Sequence, residues 1–170
     1  FGLWMGDSFN LQIIGLGIVA VFIGFSELGG ESLVGLLTDR MGKPRAIGAG
    51  LILNCLAVLA LPFLGLTQVG ALVGLCLFYI TFEFTIVSSI PMMTEIMPGA
   101  RATLMAVNIA AISLGRALGA FVAHPLYEWG QAAGNLPAWI PGILVSALVV
   151  VLFNLFAMLS LKYLSRTIKN

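Results

Sequence analysis

The chain has 170 residues, of which 60% are hydrophobic and 9% charged, with a formal net charge of +1. A soluble domain is about 45–50% apolar and about 25% charged, so this composition excludes a water-soluble globule, and the same apolar excess excludes disorder. Near-neutral charge gives no electrostatic case for nucleic acid, and Cys55 and Cys76, both inside apolar runs, suggest neither a disulfide framework nor a metal site. What remains is an all-α polytopic membrane protein.

Crossing about 30 Å of hydrocarbon takes about 20 apolar residues in a helix. No charge lies between Asp7 and Glu27, and the apolar run continues past Glu27 and Glu31, which predicts a first span over about 11–37. The cluster Asp39-Arg40-Met41-Gly42-Lys43-Pro44-Arg45 must be a loop. From Ala46 to Phe82 there is again no charge; as one helix this stretch would be roughly 55 Å long, too long for one crossing. Pro62, Gly65, Thr67 and Gln68 are the available breakers, so spans two and three are expected over about 46–64 and 69–93. A second polar loop, Glu95 to Arg101, precedes span four at about 102–126, which carries Arg116 and His124. Tyr127 to Pro137, with Glu128, Gly130, Gln131, Gly134 and Asn135, reads as a third loop, and span five is expected over about 138–161. Trp4, Trp129, Trp139 and Tyr163 fall near predicted ends, where amphipathic rings favour the headgroup region.

Five spans put the chain ends on opposite sides. Arg40, Lys43, Arg45, Arg101, Lys162, Arg166 and Lys169 all fall on one side, and the opposite loops hold no Lys or Arg. The positive-inside rule then predicts a cytoplasmic C-terminus and an external residue 1. The chain opens on Phe1 with no basic leader, so it is expected to be truncated at its front, with the basic tail a true C-terminus.

Gly35-Leu36-Leu37-Thr38-Asp39-Arg40-Met41-Gly42-Lys43-Pro44-Arg45 resembles the signature loop of the major facilitator superfamily, G-x-x-x-D-R-x-G-R/K-x-R, which joins the second and third helices of each six-helix half on the cytoplasmic side. Gly35 is expected to permit close helix approach and Gly42 a tight turn, while Asp39 is placed to cap a neighbouring helix N-terminus. Glu95-x-x-Pro98-x-x-Arg101 resembles the segment between the fourth and fifth helices of a half. The resemblance implies a cytoplasmic charge network of Asp39, Arg45 (or Arg40), Glu95 and Arg101. Gly115 and Gly119 form a G-x-x-x-G face in span four, a pattern that lets helices pack closely. The resemblance implies a fold in which these five spans are helices eight to twelve, most of the C-terminal half of such a transporter. Ser26-Glu27-Leu28-Gly29-Gly30-Glu31 and Phe82-Glu83-Phe84 are similar to bacterial sugar-efflux and multidrug-type facilitators. The partners so implied are the missing N-terminal half, a small-molecule substrate and the lipid bilayer, in a bacterial inner membrane.

Ionisable groups inside a span are costly and mark candidate functional sites; four qualify, Glu27, Glu31, Glu83 and Arg116. Glu83 lies roughly 18 Å and Arg116 roughly 22 Å from the cytoplasmic ends of their spans, a similar depth at which the two can pair as a bridge; an unpaired Glu83 would instead serve as a proton or substrate site. Glu27 and Glu31, four apart, share a helix face. They are read either as a coupled carboxylate pair or as interface and network contacts. His124 is expected at an interface, and Asn54 is expected to bond an adjacent helix. The combined reading is a fragment of a secondary transporter that moves a small organic solute by alternating access, with the proton gradient as energy source, no cofactor, no metal and export as the direction. The competing reading is a non-transporting sensor or assembly protein with the same fold. No nucleophile–base pair or H-E-x-x-H helix suggests an enzyme.

Overall fold

With almost no charge to break them, the apolar runs bond their backbones internally, the arrangement a hydrocarbon environment demands of single segments. The computed structural model describes residues 1–96, 98–132 and 139–167. Among these there is no strand. A short helix α1 (Gly2–Phe9) precedes five long ones: α2 (Ile13–Met41), α3 (Lys43–Leu64), α4 (Gln68–Ile96), α5 (Arg101–Ala132) and α6 (Trp139–Thr167). A single 3₁₀ turn, Pro98–Ala100, links α4 to α5. All five long helices contain stretches long and apolar enough to cross a membrane.

The helices outrun the spans expected from the sequence. The first loop shrinks to one residue, because α2 runs through Asp39 and Arg40 to Met41 and α3 restarts at Lys43. Gly42 makes that reversal with φ 83°, a left-handed conformation open to glycine and costly for other residues. Pro44 sits in the first turn of α3, where its missing N–H has no intrahelical partner to lose. Likewise α5 continues through Pro125 to Ala132, so Glu128, Gly130 and Gln131 are helical and not in a loop. Helices project past the bilayer wherever no strong breaker follows, and one proline costs only its own hydrogen bond and its neighbour's space. Gly134, Asn135 and Pro137 of the expected third loop, and Lys169 of the tail, lie outside the described residues.

α4 is the central helix, packed most extensively on α3 and then on α2, while α6 packs on α3 and α5. The apolar core divides by depth. At one end Val19, Ile23, Val58, Leu61, Ala71 and Leu75 pack with Trp4 and Met5 of α1 and with Tyr127, Ile143 and Ala147. At the other, Ile47, Leu51 and Met92 pack against Met158, Leu161 and Leu164. The turns carrying Arg40, Lys43, Arg45 and Arg101, and Lys162 of α6, gather at this second end. Glycines set the closest crossings: a Cβ at Gly30 of α2 would lie 2.6 Å from the Ile80 carbonyl oxygen and 3.1 Å from Glu83 Cβ, both on α4.

Candidate functional site

At the Gly30 crossing α2 lies directly on the stem of Glu83. Glu83 is 7% exposed, and its carboxylate accepts a hydrogen bond from Arg116 Nη2 of α5 at 3.0 Å. Arg116 remains largely open, with 61% of its side chain exposed. The pair spans two helices that otherwise touch little. Glu27 and Glu31, on the turn either side of Gly30, are within electrostatic reach of Glu83, and neither forms an ion pair among the described residues. Three carboxylates and one guanidinium therefore share a region inside the spans, with Arg116 committed to Glu83.

A second polar centre lies on the opposite flank of α4. Asn54 of α3 is 2% exposed and donates through Nδ2 to the Phe78 carbonyl (3.1 Å) and to Thr81 Oγ1 (3.0 Å). Its Oδ1 accepts from Asn154 Nδ2 of α6 at 2.8 Å. One asparagine thus ties α3 to both α4 and α6, as buried polar groups in a bilayer must find partners. Asn154 was missed although it carries the same signal as Asn54, a lone amide in an apolar helix; Gly30, beside Gly29, gives no hint of which helix it meets. Nearer the basic end, the buried hydroxyls of Thr38 and Ser88 meet at 3.0 Å and join α2 to α4.

The charges at the basic end are arranged differently from the network the resemblance implied. Glu95 pairs with Lys43, not with Arg45 or Arg40, because the one-residue turn presents Lys43 as the first residue of α3. Arg101 Nε donates to the Thr94 carbonyl at 2.9 Å, satisfying a backbone acceptor that the end of α4 leaves open. Asp39 caps no helix among the described residues: Gly42 occupies the N-cap of α3, without a side-chain bond, and Asp39 belongs to the last turn of α2. Asp39, Arg40 and Arg45 are exposed and form no ion pair among the described residues. Gly35, Gly115 and Gly119 have open space where a Cβ would stand, so none of them seats another described helix. The small-residue contacts expected there occur instead at Gly30 and at Gly50, where a Cβ would lie 3.1 Å from Phe84 Cδ1. His124 Nδ1 lies 3.4 Å from Glu128 Oε2, one turn along α5.

Five spans of membrane length and an apolar exterior define an integral membrane protein. The uncharacterized MFS-type transporter YceJ of Bacillus subtilis (strain 168) is 26% identical over 140 residues, covering 78% of this chain and 34% of that protein. The chain therefore spans about a third of the length of the curated relative it matches. This likeness is consistent with membership of the major facilitator superfamily. No family model matches, and no solved structure does.

Proposed function

We propose that this chain supplies most of the C-terminal half of a secondary transporter of the sugar-efflux or multidrug type, exporting a small organic solute by alternating access. The observation that carries the reading is the Glu83–Arg116 bridge: a buried carboxylate held by a cation on a neighbouring helix that has little other hold on it. A carboxylate inside a span is neutralised by a counter-charge or by a proton. In one conformation Arg116 neutralises Glu83. Moving α5 away from α4 removes that partner and leaves protonation as the alternative, which couples helix movement to proton uptake. Glu27 and Glu31, close by, extend the acidic path. At the other end, Lys43–Glu95 ties the α2–α3 turn to the end of α4 and acts as the cytoplasmic latch, with Asp39, Arg40, Arg45 and Arg101 around it.

The N-terminal half of the same transporter is the partner in this reading, a bacterial inner membrane the location, and the end bearing Arg40, Lys43, Arg45, Arg101 and Lys162 the cytoplasmic face. The test is transport by the intact protein in proteoliposomes under an imposed pH gradient. Glu83→Gln is expected to abolish gradient-driven flux while leaving solute exchange without a gradient. Retained gradient-driven flux would remove Glu83 from coupling, and a protein with neither activity would favour the sensor reading.

A further inference from the structure

A half-open cavity of about 400 Å³ is lined by α3, α4, α5 and α6. Its floor is apolar, built of isoleucine, leucine and the methionines Met92 and Met93, whose flexible thioethers adapt to irregular guests. No charged side chain lines it among the described residues. Asn108 and Ile112 form its α5 wall, and Arg116 stands one further turn along that face, so the Glu83–Arg116 bridge lies just beyond its end.

The polar groups in the wall share one character. Thr85, Ser89 and Ser160 each give their hydroxyl proton to a carbonyl of their own helix, at 2.6, 2.6 and 2.9 Å. Asn154 gives one of its two amide N–H groups to Asn54 and leaves the other, with Oδ1, without a partner among the described residues. Three hydroxyl oxygens thus face the space with their own protons already spent, and Asn154 adds an open Oδ1 beside a second amide N–H. Asn108 brings a wholly uncommitted amide, which can accept or donate. A guest that satisfies this wall must donate hydrogen bonds, carry no charge, and bury an apolar body.

We infer that this cavity is a binding site for an uncharged amphipathic molecule with a hydroxyl head group, the head placed among Thr85, Ser89, Asn108, Asn154 and Ser160 and the tail on the methionine floor. A carboxylate of equal chain length is rejected, because it brings no donor to the three spent hydroxyls and a charge to a wall without a counter-charge.

The experiment uses the intact protein in lipid nanodiscs at pH 8, with radiolabelled 1-decanol as the probe and empty nanodiscs as the partition background. One saturable decanol site per protein is expected, and decanoate should compete at least about tenfold more weakly. Ser89→Phe, which fills the cavity, should eliminate the saturable component. Asn108→Leu, on a helix that is scarcely buried and so least able to disturb folding, should weaken binding about tenfold. Binding indistinguishable from empty nanodiscs, decanoate competing as well as decanol, or unchanged binding by Asn108→Leu would each overturn the inference. None of these outcomes depends on solute flux, so the site stands or falls separately from the transport reading.

Discussion

α3 and α5 are both membrane-length helices of similar make-up, but their surroundings differ sharply. The most apolar stretch of α3 is 44% buried within the chain, whereas that of α5 is 0% buried. α3 is held by close side-chain packing on α4 and by Asn54, which reaches both α4 and α6. α5 leans on α6 and is tied to α4 chiefly by one charged contact. Position along α3 is therefore set by shape, and position along α5 relative to α4 by an ion pair that a proton can undo. A two-state element needs such an uneven division, because a helix locked by interdigitation on every side has no second place to sit.

The largest effect that separates the two regions comes from glycine replacement. Gly30→Val puts a side chain against the Ile80 carbonyl, where a Cβ already lies at 2.6 Å, and should cost about 3 kcal/mol, the upper end for overpacking. Gly115→Val enters open space and should stay within about 0.5 kcal/mol. Thermal unfolding of the two variants in one detergent measures the contrast. Equal losses would show that α5 is as tightly seated as the α2–α4 seam. If the G-x-x-x-G face packs on the other half of the transporter, Gly115→Val should lose flux without losing stability.

Next in size is Asn54. Asn54→Leu removes two donated bonds and leaves the Asn154 amide unmatched; such losses are worth about 1–2 kcal/mol in a membrane. Replacing both asparagines by leucine should recover most of the loss, since a matched apolar pair leaves nothing unpaired. Additive losses in that double variant would mean that each asparagine has a separate role.

The all-α class and the existence of five spans were legible because they rest on composition and on runs of uncharged residues, signals that survive without tertiary knowledge. The Glu83–Arg116 pairing was legible as one of two alternatives, from depth alone. Partner choice at the basic end was not: Glu95 meets Lys43 because a single glycine reverses the chain, and turn length sets which of several neighbouring cations is presented. The same limit hid the roles of Gly30 and Gly115. Both read as small residues on helices, and only packing tells that one is pressed against a backbone while the other faces outward.

Arg116→Ala tests how much of the place of α5 depends on charge. Removing one partner of a fully buried pair costs about 3–5 kcal/mol, but Arg116 is 61% exposed, and Glu83 can neutralise itself by binding a proton. A loss of about 1 kcal/mol at neutral pH is expected. In a cycle with Glu83→Gln the double variant should fall short of the summed losses, as directly coupled groups do. Strict additivity would show that the two side chains do not hold each other in the membrane.

The smallest effect is expected at the other ion pair. Lys43 and Glu95 have side chains 26% and 62% exposed, and pairs open to solvent contribute about 0–1 kcal/mol. Lys43→Ala should therefore leave the melting temperature almost unchanged, even though it releases the α2–α3 turn from the end of α4. Its effect belongs to conformational preference. A latch worth even about 1 kcal/mol alters a two-state ratio roughly fivefold, enough to be seen as altered labelling of a cysteine placed at Ser89, beside the cavity wall. The charge reversal Lys43→Glu with Glu95→Lys should restore the original labelling. Lys43→Ala labelling like the parent, with the melting temperature equally unmoved, would reduce this pair to an ordinary surface contact.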